Sequence, residues 1–198
     1  MLQAPNEILD VVHSFHRGEH VVMFQEDSEY ARTIEFGFLH DGLKKGEYCV
    51  YSSIFDEPAA IEKKMEAFGI DVRSYKESNL FRACRFPASP AAHAAGGLRG
   101  LGEFNRTVLP ASKDIPYRVV GRLYPLDMLS KQHLVENLKI ERKAQDGFKE
   151  QNGIVICSYS SKDLKSELLF DWFTGVLKAH DVAVFAPSPG NGAAFYMK

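Results

Sequence analysis

Short apolar blocks alternate with longer stretches of helical spacing along almost the whole chain. His20 to Phe24, Tyr48 to Ser53, Leu80 to Phe86, Arg118 to Leu123, Gly153 to Tyr159 and Val182 to Ala186 read as strands. Their apolar character on both faces predicts a sheet covered on two sides. Between them, Pro5 and the apolar set Ile8, Leu9, Val11, Val12 and Phe15 predict a short opening helix that ends before Gly18. Ser28, or Asp27 before it, can cap a helix whose inner face carries Ile34, Phe36, Phe38, Leu39 and Leu43 and which Gly46 closes. Pro58 marks the start of a helix over Glu57 to Phe68, ended by Gly69. A long charged helix is expected over Ser130 to Gln151 and another over Asp163 to Lys178, while Pro87 to Leu109 reads as a loop running into a loose helix.

Strands separated by helices pair in parallel through right-handed crossovers. The expected class is therefore α/β, a three-layer α/β/α arrangement around a mainly parallel sheet. Asn191-Gly192 is a hairpin-type dipeptide followed by apolar Ala193 to Tyr196, so residues 187–198 are expected to fold back as an antiparallel edge strand. With 198 residues, no repeat and no low-complexity linker, the chain reads as one domain spanning 1–198.

A formal net charge of -2 leaves no field that would attract nucleic acid or an anionic membrane. The N-terminal MLQAPNEILDVVHSF has no basic region before a long apolar core, and no apolar run approaches the roughly 20 residues of a membrane span. Cys49, Cys84 and Cys157 each lie in an expected strand, without a C-x-x-C pair. Buried thiols in a reduced, cytoplasmic protein are expected, and neither a disulfide framework nor a zinc ribbon.

The strand, turn and helix between Val21 and Gly46 have the layout of a phosphate loop without its residues. That loop needs G-x-x-x-x-G-K-[ST], so that backbone amides close on phosphates and a lysine neutralises them. Gln25, Ser28 and Tyr30 stand where glycines belong, Ala31 where the lysine belongs and Arg32 where the hydroxyl belongs. Glu26, Asp27 and Glu29 add charges that repel a triphosphate.

Several residues together carry a resemblance. The pattern G-E-H-V-x-M-F from Gly18 to Phe24, the helix end F-L-x-x-G-L-x-x-G-E from Phe38 to Glu47, Cys49, Tyr51 and the late C-S-Y of Cys157 to Tyr159 resemble the MEDS domain. The resemblance runs from about Gly18 to Val184. It implies a fold similar to the KaiC branch of the RecA-like ATPases and a role in sensing small organic, hydrocarbon-type molecules alongside signalling or transcription modules. The sequence departs from the family in the Ala/Gly-rich 87–109 segment. It departs again at Gly121-Arg122-Leu123-Tyr124-Pro125, where the family more often has an acidic residue and an aromatic.

Parallel sheets bind ligands at the carboxyl ends of their strands. That places Phe24, Gln25, Tyr30, Arg32, Tyr51, Arg122 and Tyr159 as the expected ligand-binding set, against the alternative that Tyr51 is core and the arginines pair with Glu26, Asp56 or Glu57. Asp56 and Glu57 fall where KaiC-like ATPases carry acidic catalytic residues. Without a phosphate cradle they are read as caps of the following helix, and no catalytic residue is assigned. His13 and His16 lie one turn apart with no fourth ligand apparent, so no metal site is expected. His20 is read as structural, with a minor ligand contact as the alternative.

Gly96 to Gly102 lacks the strand and spacing of a dinucleotide loop and reads as a flexible segment or lid. The expectation is a small-molecule sensor or signalling adaptor without nucleotide hydrolysis and without a cofactor. It would work with a signalling or transcription partner and self-association is possible, but direct contact with nucleic acid or membrane is not expected. The alternatives are a degenerate KaiC-like nucleotide-binding ATPase using Asp56 and Glu57, and a protein-interaction module without any ligand.

Overall fold

The computed structural model describes residues 5–86, 105–112, 114–123, 130–148, 150–161 and 167–197. Its elements run α1 (Pro5–His13), β1 (His20–Gln25), α2 (Ser28–Lys44), β2 (Tyr48–Ser53), α3 (Pro58–Ala67), α4 (Val72–Glu77), β3 (Phe81–Arg85), β4 (Tyr117–Arg122), α5 (Lys131–Phe148), β5 (Gly153–Ser160), α6 (Glu167–Lys178), β6 (Val182–Ser188) and β7 (Asn191–Tyr196). The seven strands form one sheet in the order β3-β2-β4-β5-β1-β6-β7. All neighbours pair in parallel except β6 and β7.

Alternation along each strand divides the core in two. Val21 and Met23 of β1, Tyr51 of β2 and Ile156 of β5 point to the face covered by α1 to α4. Val22, Phe24, Val50, Val155 and Tyr159 point to the opposite face, where Leu134 of α5 and Leu169, Trp172 and Val176 of α6 pack. This is the expected three-layer α/β/α arrangement. No helix among the described residues is long and apolar enough to cross a membrane.

Two local features differ from the sequence reading. Helix α4 was not anticipated, because six residues are too few to show a helical period; Asp71 starts it by accepting from the Ser74 amide at 3.1 Å. The edge hairpin forms, but its turn is Pro189-Gly190 and not Asn191-Gly192: Ser188 pairs with Asn191, and Gly190 takes φ +77°. Proline supplies the negative φ of the first turn position and glycine the positive φ of the second. Gly192 instead sits inside β7, where an added Cβ would come within 2.7 Å of Ile8 in α1. Of the expected loop over Pro87 to Leu109, residues 87–104 lie outside the described residues, as do Tyr124, Pro125 and 163–166; residues 105–108 form a helical turn.

The F-L-x-x-G-L-x-x-G-E stretch has a physical reason. Arg118 of β4 is buried beneath the end of α2, where it donates to Glu47 at 2.7 Å and to the Phe38 carbonyl at 2.9 Å and pairs with Asp41 at 2.8 Å. Its guanidinium lies 4.8 Å from the Phe38 ring centroid. Gly42 makes room for it, since a Cβ there would stand 2.7 Å from Arg118 Cδ. Gly46 reverses the chain at φ +73°, which returns Glu47 to the arginine. Removing one partner of a buried ion pair leaves an uncompensated charge. Glu47→Ala is accordingly expected to lower unfolding stability by about 3 kcal/mol in urea titrations. A loss below about 1 kcal/mol would mean that Asp41 and the Phe38 carbonyl satisfy Arg118 without it.

Candidate functional site

The turn after β1 is closed by its own side chains. Asp27 caps α2, its Oδ1 accepting from the Glu29 amide at 2.9 Å and the Tyr30 amide at 3.0 Å. These are helix N-terminal donors of the kind that hold a phosphate in a nucleotide-binding loop. Ala31, at the lysine position, is fully buried. Around this turn lies a polar crevice of ≈ 300 Å³ whose walls include Gln25, Ser28, Arg32, Asp56 and Arg122.

Both arginines of the crevice are engaged. Arg32 pairs with Asp56 at 3.2 Å and with Glu29. Arg122 donates to Ser28 Oγ at 2.7 Å and to Glu35 at 3.3 Å, and Glu35 also accepts from the Tyr51 hydroxyl at 2.7 Å. Burial opposes ionisation of Asp56, but Lys64 and Arg32 outweigh it and hold its carboxyl below the usual range. Neither acid caps α3 as expected. Asp56 is held by Arg32 and Lys64, while Glu57 occupies the N-cap position without a side-chain cap and pairs with Arg85.

The seven residues read as one ligand-binding set do not line one pocket. Gln25, Arg32 and Arg122 reach the crevice. Tyr30 and Tyr51 are buried in the core on the α2 side, and Tyr51 meets the crevice through its hydroxyl, which interacts with Glu35 and Arg122. Phe24 and Tyr159 belong to the opposite face, packed with each other and with Trp172 at ring centroid distances of 6.3, 6.4 and 5.1 Å. Parity explains the separation: Phe24 precedes Gln25 by one residue and Tyr159 precedes Ser160, so each points away from the crevice wall that its neighbour forms.

On that opposite face the chain holds a second cavity of ≈ 70 Å³, larger than a single water needs. Val119, Gly121 and Val155 of the sheet form its floor, Ile140, Ala144 and Phe148 of α5 its roof, and Val108 and Leu109 part of its rim. Its polar wall is confined to a few residues, chiefly His20, Glu141 and Cys157.

These three groups and His180 form a buried cluster in which one ligating atom from each lies within 4.8 Å of the others. His20 Nε2 is 3.3 Å from Cys157 Sγ and 3.6 Å from Glu141 Oε2, and His180 Nε2 is 3.6 Å from the same oxygen. The Tyr159 hydroxyl donates to Glu141 Oε1. Burial pushes the Glu141 carboxyl up to about 7 against the hydrogen bonds from Tyr159, Asn137 and Cys157. Burial also lowers His20 to about 4, holds His180 well below the ordinary value and raises the Cys157 thiol.

The cluster escaped the sequence reading because its members come from four separate elements, yet two signals were present. Asn137, Glu141 and Gln145 recur at helical spacing on the stripe that also carries Leu134, Leu138 and Phe148, so polar groups interrupt the inward face of α5. His20 shares strand parity with Val22 and Phe24, and Cys157 with Val155 and Tyr159.

Opposing titrations follow from this burial. Between 4.5 and about 7, Glu141 is protonated in the folded chain and ionised in the unfolded one, so it lowers stability as pH rises through that window. His20 is neutral when folded and charged when unfolded between about 4 and 6.5, so it lowers stability as pH falls, and His180 acts in the same direction. In chelator-treated Glu141→Gln only the histidine effect remains. Its stability is expected to fall on acidification from pH 6.5 to 4.5 more steeply than that of the unmodified chain. The difference should approach about 1.4 kcal/mol per pH unit in urea titrations. Equal slopes would mean that Glu141 is already ionised in the fold.

The profile described as MEthanogen/methylotroph, DcmR Sensory domain matches residues 19–174. No curated protein matches the chain. Among solved structures, a KaiC-like protein from the hyperthermophilic archaeon Pyrococcus horikoshii OT3 superposes with a TM-score of 0.60 at 16% identity, covering 86% of this chain and 72% of that one. At that identity the likeness concerns the fold, which is KaiC-like. With the profile spanning well over half of its length, the chain belongs to the MEDS sensory-domain family.

Proposed function

We propose that this domain senses a small, mainly apolar organic molecule held in the cavity between α5 and the sheet, and that it neither binds nor hydrolyses nucleoside triphosphates. The observation that carries the reading is the contrast between the two faces. The apolar cavity is lined by Val119, Val155, Ile140 and Phe148 with a short polar wall, the composition of a small-molecule site. On the other side the first amides of α2 are occupied by the Asp27 carboxylate and the nearby arginines are paired with acids, which supports the absence of phosphate binding. The family's sensory description supports the same role. A bound state would pass to a signalling partner, and the half-exposed Phe195 and Tyr196 on the outer strand β7 support docking at that edge.

Toluene serves as the test molecule for the cavity. It is expected to raise the unfolding midpoint of the chain, by an amount equivalent to about 2.7 kcal/mol when present at 100 times its dissociation constant. In Ala144→Phe, whose ring would fill the space under the roof, the shift should vanish while the variant itself stays folded. An equal shift in both proteins, or none in the unmodified chain, would reject the cavity as the site.

Calorimetric titration with ATP and magnesium is expected to show no binding. Ala31→Lys is not expected to create it, because position 31 is buried and the loop lacks its glycines. Micromolar, magnesium-dependent binding would reject this half of the reading.

A further inference from the structure

We propose that His20, Glu141, Cys157 and His180 form a binding site for a divalent first-row transition metal of the zinc type, seated where the polar wall of the cavity meets the sheet. The spacing of the ligating atoms is the first reason. With metal–ligand distances of about 2.0–2.3 Å, the edges of a tetrahedral N2SO site measure about 3.3–3.8 Å. Four of the six pairs, His20–Cys157, His20–Glu141, His180–Glu141 and Cys157–Glu141, stand at 3.3, 3.6, 3.6 and 3.9 Å, and the other two lie within 4.8 Å, close enough for small side-chain shifts to bring them to a metal.

The orientation of the imidazoles is the second. His180 Nδ1 lies 2.8 Å from the Val176 carbonyl, which can only accept, so Nδ1 carries the hydrogen and Nε2 presents a lone pair. Gln145 donates its amide to Asp181 at 2.7 Å, which turns its carbonyl oxygen toward His20 Nδ1 at 3.2 Å. His20 is thereby fixed in the same tautomer. Each Nε2 lies 3.6 Å from Glu141 Oε2, the two imidazole rings have their centroids 3.8 Å apart, and outer partners of this kind orient metal-bound histidines. His180 Nε2 is buried and has no hydrogen-bond partner, an orphaned acceptor aimed at the Glu141 oxygen.

Charge is the third reason. Binding would release the Cys157 thiol proton and any proton on Glu141 to solvent, leaving a thiolate and a carboxylate. Together these cancel the two positive charges in a setting that tolerates no net charge.

The proposal is independent of the organic ligand, and its test contains none. Chelator-stripped, reduced protein is titrated with Co(II) and followed by absorbance. One equivalent is expected to bind, with a thiolate charge-transfer band and the intense visible bands of four-coordinate cobalt, both displaced by Zn(II). Cys157→Ser should lose the charge-transfer band, and both it and His180→Ala should weaken binding by at least about tenfold. Cys49→Ser should change neither. Because a failed variant could reflect lost folding, Zn(II) is also added during thermal unfolding: it should raise the midpoint of the unmodified chain and raise that of Cys157→Ser, which is near-isosteric, by clearly less. Absence of Co(II) binding, weak six-coordinate spectra, or a thiolate band that persists in Cys157→Ser would overturn the site and leave the cavity reading untouched.

Discussion

Because β1 is paired in parallel with β5 on one side and β6 on the other, a shift of one residue in its register would exchange the faces of every side chain it carries. Both sites depend on this alignment. It sends His20 to the α5 and α6 side, beside Cys157 of β5 and the His180 that leads into β6, and it sends Gln25 to the crevice beside α2. The strand is buried on both faces, and a slip would carry His20 and Gln25, its polar ends, away from the groups they meet.

The α/β layering was legible in the sequence because its strands are apolar on both faces and its helices have sharp stops at Gly46 and Gly69, which adopt φ +73° and +98°. Helix α4 and the place of the hairpin turn were not, since a single helical turn has no period to read and Pro189-Gly190 competed with Asn191-Gly192 as a turn signal. Arg122 reaches the crevice from the end of β4 and Arg32 from α2, whereas Phe24 and Tyr159 were assigned by their position along the strand without their parity. For the buried cluster the obstacle is different in kind. Residues at positions 20, 141, 157 and 180 share no local spacing, and only tertiary contact brings them within 4.8 Å.

The two faces treat buried charge in opposite ways. On the α2 side Arg118 and Arg122 are matched by Glu47, Asp41 and Glu35, so charges enter the core as pairs with additional hydrogen bonds. On the α5 side desolvation is the largest influence on His20 and Glu141 and disfavours the charged form of each. A neutral, acceptor-rich patch beside an apolar cavity is able to respond to a cation or a polar ligand atom in a way that a satisfied ion pair cannot.

Asp27 gives the N-terminus of α2 a property that no free anion has. Its carboxylate is covalently tethered within two and three residues of the amides it occupies, so its effective concentration there is set by chain geometry and not by the cell. A tethered acceptor already in place stands at an effective concentration of about millimolar or more, and a free phosphate would have to displace it while meeting two further acids in the same turn. The helix end is in this sense permanently occupied, like an enzyme carrying its own inhibitor.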